Sequence, residues 1–162
     1  MRALNVAAPW GPDAIQVVEK PDPKPRPGHV LVRMKAVSLN YRDLLMINGM
    51  YGRGMAKPDD VITPFSDGCG YVQAVGEGVT RFKAGDRVST LFYQEWISGP
   101  PELDRVQTAL GFPVPGAGAE LQTFSQEGLS KVPDFLTDNQ VATLACAALT
   151  AWRGLVVQGQ VK

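Results

Sequence analysis

Histidine and cysteine are close to absent, with one histidine, His29, and two cysteines, Cys69 and Cys146, in 162 residues. The two cysteines lie far apart and follow no metal-ligand spacing, and a small disulfide scaffold needs more of them, so the chain reads as the product of a reducing, cytoplasmic compartment. An excess of charge of one sign is also lacking: 16 basic residues face 16 acidic ones. That balance gives no field to attract nucleic acid or an anionic membrane, so neither is expected as a partner. Long apolar runs are missing too. The longest, residues 141–149, is Ala-rich and is soon followed by Arg153, which is too little to span a bilayer. The opening Met1-Arg2-Ala3-Leu4-Asn5-Val6 is too short and too polar to read as a secretory leader.

What the chain does have is turn chemistry, with 17 glycines and 13 prolines against an ordinary 44% hydrophobic content. Such punctuation suits short strands. Val30, Val32, Met34 and Ala36 alternate with Leu31, Arg33, Lys35 and Val37, a period of two that predicts a strand with one more apolar face. The proline-rich stretch before it, residues 21–28, cannot be a central strand, because each proline removes a ladder donor. Further strands are expected at residues 70–75, 87–91, 119–124 and 129–132. A turn at Gly76-Glu77-Gly78 closes the first of these. Residues 98–118 read as a long loop with one helical turn near 103–110. Asn40 caps a short helix whose third position is Asp43 and whose end is marked by Gly49. Thr137 with Gln140 three residues on fits a capping box. The small apolar run after it suits close packing, and Thr150 is expected to cap the helix that follows. No strand leads into a Gly-rich turn and helix, so the phosphate-cradling fingerprint of a dinucleotide site is absent from these residues.

Five segments, taken in order, carry a family pattern. They are Ser38-Leu39-Asn40-Tyr41-Arg42-Asp43, Pro64-Phe65-Ser66-Asp67-Gly68-Cys69-Gly70, Val75-Gly76-Glu77-Gly78-Val79, Ala84-Gly85-Asp86-Arg87-Val88 and Ala147-Ala148-Leu149-Thr150-Ala151-Trp152. Together they resemble the first half of the medium-chain dehydrogenase/reductase superfamily, and the likeness runs over nearly the whole chain. It implies a mainly β fold: a GroES-like, partly open β-barrel with short helices and a C-terminal helical tail. Residues 1–136 would form the substrate-side domain and residues 137–162 a helical hinge. The Rossmann domain that binds most of the nucleotide would follow, and is expected to be missing here.

The resemblance also points to a branch. Zinc alcohol dehydrogenases hold a catalytic metal at places that align with Asn40, Ser66 and Cys146. An amide and a hydroxyl are poor zinc ligands, so the likeness is to the metal-free quinone oxidoreductases and enoyl reductases. The implied cofactor is NADPH or NADH, without zinc. The implied reaction is hydride transfer to a quinone, enone or related activated double bond. Charge develops on the conjugated oxygen, and donors aimed at it lower the barrier.

By the same likeness, catalytic roles fall on Asn40, Tyr51 and Asp67, and cofactor contacts on Asn40, Tyr41, Arg42 and Thr150. Each has a plainer alternative. Asn40 also serves as a helix cap, and Tyr51 stands in a Gly-rich loop where its phenol can face water. Arg42 reads equally well as a solvated side chain, and Asp67 as the partner of an arginine. Thr150 is either a helix cap or a contact to the nicotinamide carboxamide. Cys146 reads as a small buried hydrophobe, Trp152 as a core or interface anchor, and Phe92 and Trp96 as lining for an apolar pocket or as core. Besides a small-molecule substrate and a nicotinamide nucleotide, a second copy of the chain is a candidate partner, since exposed apolar area is expected on the tail. Taken alone, the chain is expected to be inactive. Two other readings stay open: a non-catalytic GroES-like binding module, and an alcohol dehydrogenase acting on alcohols or aldehydes.

Overall fold

A computed structural model of the protein describes residues 1–50 and 60–161. Tyr51 therefore lies outside the described residues. Among the described residues seven strands form in chain order: β1 (Arg2–Asn5), β2 (Gln16–Glu19), β3 (His29–Ser38), β4 (Asp67–Val75), β5 (Arg87–Thr90), β6 (Leu121–Ser125) and β7 (Leu129–Lys131). β1 and β2 make a separate antiparallel pair. The other five form one antiparallel sheet in the order β6-β3-β4-β5-β7. The architecture is mainly β with two sheets, and the sheets do not close into a barrel.

β3 is the spine of the larger sheet. The expected alternation holds at its start, where Val30 and Val32 are fully buried and Arg33 is exposed. It fades further on, because the β3–β4 ladder shifts register between Leu31 and Val32 and again between Met34 and Ala36. Each extra residue disrupts the strict period of two, and Met34 and Ala36 end up only half-buried. Gly68 and Gly70 of β4 lie opposite this bulged stretch. A Cβ on Gly70 would strike the Arg33 carbonyl of β3, and one on Gly68 would meet Met34, so β4 approaches β3 this closely only with glycine at both places.

The main core gathers Val30, Val32, Val72, Val88, Phe124 and Leu129 from five strands. Burying such side chains supplies about 1.5–3 kcal/mol each relative to leaving them exposed. A second, smaller cluster joins Cys69 of β4 to Val141 and Ala142.

The described residues also form four short α-helices: α1 (Tyr41–Ile47), α2 (Leu103–Val106), α3 (Asp138–Ala142) and α4 (Leu149–Trp152). Thr137 caps α3 with the expected box, its hydroxyl accepting the Gln140 N–H. Arg87 ties the start of α3 to the sheet: its Nε donates to Asp138 Oδ1 at 2.8 Å, beside Tyr71 and Cys69. Two expectations need correction here. Thr150 does not cap a helix. It sits inside a helical run that continues through α4 with π-helical turns on either side, and its hydroxyl donates back to the Cys146 carbonyl at 2.7 Å. Cys146 is half-buried rather than buried. Of the two readings of Trp152, its 54% exposure sets aside the core and leaves the interface.

Candidate functional site

The site is built on the turn between β3 and α1 and on the first residues of β4. Asn40 ends the extended stretch with φ −113° and ψ 159° and is the N-cap of α1. Its backbone N–H donates to Asp43 Oδ2 at 2.8 Å, one arm of a capping box. Its side chain goes elsewhere: Nδ2 donates to Asp67 Oδ2 at 2.8 Å. The helix cap and the contact to Asp67 are thus made by different atoms of one residue.

Ser66 and Asp67 are fully buried, and Asp43 is 1% exposed. Burial pushes the Asp67 carboxyl above the usual carboxylate range, with the nearby Asp43 adding to the shift, while the Asn40 amide opposes it. Asp43 is raised for the same first reason, burial, against the pull of the Asn40 N–H and the Arg42 charge. Asp67 Oδ1, Asp43 Oδ1 and Ser66 Oγ have no hydrogen-bond partner among the described residues. Unpartnered buried oxygens of this kind cost about 1–3 kcal/mol each, a cost that the fold carries at one place. Among the described residues, the side chain that hydrogen-bonds to Asp67 is the Asn40 amide.

Thr90, at the end of β5, holds the turn around Asp67. Its hydroxyl donates to the Ser66 carbonyl and accepts the Gly68 N–H, both at 2.8 Å. Cys146 approaches from the helical side, where burial and then the negative charge of Asp67 raise its thiol. Asn40, Ser66, Asp67 and Cys146 therefore meet in one region. Thr150 stands one helical turn beyond Cys146, exposed. Tyr41 is 75% exposed at the start of α1.

Arg42 reaches across to a distant loop of the chain. Nη1 donates to the Leu110 carbonyl and Nη2 to the Phe112 carbonyl, both at 2.7 Å. Its guanidinium also lies over the Phe92 ring, 4.7 Å from the centroid. Phe92 packs on Tyr93, which packs on Trp96, so these aromatics form a small stack. Sequence reasoning missed this clasp and the Thr90 bridge. Both join residues far apart in the chain through backbone carbonyls, which leave no trace in side-chain pattern.

At Asn40, Ser66 and Cys146 the side chains are an amide, a hydroxyl and a thiol, of which only the thiol is a ligand that zinc favours. The Asn40 amide nitrogen is turned toward a carboxylate, and amide and hydroxyl oxygens replace the sulfur and imidazole nitrogen that zinc favours. Among the described residues no group of three His, Cys, Asp or Glu side chains is arranged to hold a metal ion, and no helix is long and apolar enough to cross a membrane.

Residues 26–134 match the alcohol dehydrogenase GroES-like domain. The chain belongs to that family. A zinc-type alcohol dehydrogenase-like protein of Schizosaccharomyces pombe is 39% identical over 132 residues, 82% of this chain and 37% of that protein. An alcohol dehydrogenase of Geobacillus stearothermophilus is 33% identical over 152 residues, covering 90% of this chain and 44% of the other. Among solved structures, an NAD-dependent alcohol dehydrogenase superposes with a TM-score of 0.80 at 29% identity, over 98% of this chain and 47% of that one. The quinone oxidoreductase of Pseudomonas syringae superposes with a TM-score of 0.75 at 29% identity, over 99% and 42%. A mycobacterial protein solved with NADPH gives 0.73 at 29% identity, over 100% and 43%. This family member is thus related to oxidoreductases of the medium-chain dehydrogenase/reductase superfamily and has the fold of their N-terminal part. It spans less than half the length of each of these proteins.

Proposed function

We propose that the chain is the substrate-side portion of a cytoplasmic, zinc-independent, NAD(P)H-dependent oxidoreductase that reduces a quinone, enone or related activated double bond. The observation that carries this reading is the hydrogen bond from Asn40 Nδ2 to the buried Asp67, at the place where a zinc enzyme of this superfamily would hold its metal. A nicotinamide nucleotide supplies the hydride when bound. Its main grip would come from a companion α/β domain, with residues 137–162 as the hinge from the substrate-side domain of residues 1–136; without that domain the chain is inactive.

Within the cleft the chain's own groups do four things. The second Asn40 amide N–H, not used on Asp67, is a donor for the substrate oxygen as negative charge gathers there. Tyr51 supplies a second donor from its phenol. Asp67, held by Asn40 and raised by burial, keeps a proton to higher pH than an exposed carboxyl does and serves as the local acid. Thr150 spends its proton on the Cys146 carbonyl, which leaves its oxygen to accept from the nicotinamide carboxamide, and Tyr41 is a further contact for the nucleotide. These groups fit a nicotinamide, since they combine an acceptor for the carboxamide with an open ring face at Tyr41.

The test is an assay of the complete gene product with NADPH and NADH against quinones, enones, alcohols and aldehydes, together with elemental analysis. Turnover of enones or quinones by metal-free protein is expected. Asn40→Ala should lower kcat by about a hundredfold or more, the usual loss for one oxyanion donor. A stoichiometric zinc with turnover of alcohols would overturn the reading.

A further inference from the structure

We infer that Arg42 is a positioning residue for the acceptor: it fixes Phe92 and the Leu110–Phe112 backbone as one wall of the cleft and so sets which acceptors fit. The inference rests on the oxidoreductase reading above. Arg42 follows Asn40 by two residues, and the Asn40 amide holds Asp67. Phe92 follows Thr90 by two residues, and Thr90 bonds to Ser66 and Gly68 on either side of Asp67. The two side chains therefore leave the same turn on separate elements and meet, guanidinium over ring, 4.7 Å apart.

The planar fork of Arg42 is matched to the two carbonyls it binds, since Nη1 and Nη2 reach Leu110 and Phe112, the residues on either side of Gly111. Gly111 has φ +86°, and a Cβ there would lie 2.9 Å from Met46 of α1 and 3.2 Å from Arg42 Nη1. Only glycine takes that conformation at that distance from α1 without strain. The wall is itself cross-bonded, because the Leu110 N–H donates to the Phe92 carbonyl and the Gln94 N–H to the Thr108 carbonyl. A lysine cannot replace this arrangement: its single ammonium neither spans two carbonyls as a fork nor stacks as a plane on Phe92. A Cβ on Gly111 would also come within 3.4 Å of the backbone nitrogen of Phe65, the residue before Ser66, so the clasped loop lies against the strand that carries Asp67.

The experiment compares wild type, Arg42→Lys, Arg42→Ala and Phe92→Leu in the complete gene product by two readouts. The first is amide hydrogen exchange, which needs no activity. Residues 92–94 and 108–114 should exchange about tenfold faster in the Arg42 variants while β3 and β4 stay unchanged. No change there, or a uniform rise everywhere, overturns the clasp. The second is selectivity with NADPH between a small acceptor, but-3-en-2-one, and a bulky one, 1,4-naphthoquinone. The kcat/KM ratio of bulky to small should shift about fivefold or more in Arg42→Lys with the nucleotide KM held within about twofold. An unchanged ratio with a nucleotide KM raised about tenfold overturns the inference and returns Arg42 to the nucleotide. Wild type that turns over neither acceptor overturns the oxidoreductase reading and the selectivity role together, and the exchange data then decide the clasp alone. Should Arg42→Ala fail to fold, Arg42→Lys and Phe92→Leu carry both readouts.

Discussion

β3 and the helical segment after Thr143 both carry aliphatic runs, yet Val30 and Val32 of β3 are fully buried while Leu149, Leu155 and Val157 of the segment are 48–59% exposed. The difference lies in neighbours. β3 has β4 on one side, β6 on the other and the main core beneath it. Among the described residues the helical segment is held near its start, where Val141 and Ala142 pack on Cys69 and Cys146 is half-buried near Asp67. Beyond that it presents apolar side chains to solvent, among them Trp152. Composition marks a residue as apolar; only tertiary packing decides whether something covers it.

The comparison breaks most cleanly on stability. Phe124→Ala in the main core should cost about 3–5 kcal/mol, the usual result for a buried aromatic, and a chemical denaturation midpoint within error of wild type would sink the core assignment. Arg87→Ala should cost about 1.5–3 kcal/mol, because it removes charge-assisted hydrogen bonds that join β5 to α3. A loss confined to the helical signal in circular dichroism, with the sheet intact, would sharpen the contrast by showing that the helical segment detaches on its own.

Carboxyl chemistry gives a third test. Asp43 and Asp67 are raised from 3.8 by burial, so the folded chain binds protons more tightly than the unfolded chain. Stability therefore falls as pH rises from about 3.8 through the raised values, and levels off above them. Asp67→Asn should remove its share of that fall, so the Tm of the variant relative to wild type should rise with pH across this window; a constant difference would refute the buried, raised carboxyl. Thiol labelling reads the same boundary from the other side. Burial and Asp138 push Cys69 up to about 11, so at neutral pH the half-buried Cys146 should label first and Cys69 only with unfolding. The smallest effect is expected on the helical segment: Leu155→Ala should change stability by no more than about 0.5 kcal/mol. It should also reduce any concentration-dependent association seen by light scattering, whereas a large destabilisation would mean that the segment is packed after all.

Much of the sheet was legible because the chain punctuates it. The turn at Gly76-Glu77-Gly78, the prolines before His29 and the capping boxes at Asn40 and Thr137 act within a few residues, where sequence reading is strongest. The strand from Asp67 began three residues earlier than its alternation suggested, since β4 is buried over residues 67–70 and shows no period of two there. Of the site, Asn40 and Asp67 were legible by likeness, and their hydrogen bond joins them. The place of Arg42 was not legible, because its partners are the carbonyls of Leu110 and Phe112, and every residue owns a carbonyl. Thr150 was misread for a similar reason: a threonine after an Ala-rich run looks like a cap, but here the helical run continues past it and its hydroxyl turns back along it.

The Thr90 bridge has a consequence of its own. One hydroxyl gives its hydrogen to Ser66 and takes one from Gly68, so the joint has a polarity that neither a pure donor nor a pure acceptor can reproduce. Valine, its nearest match in shape, would leave both backbone groups stranded; serine would keep the chemistry and give up a methyl. Divergence at this position is thereby narrowed to hydroxyl-bearing side chains, whatever acceptor the neighbouring cleft comes to prefer.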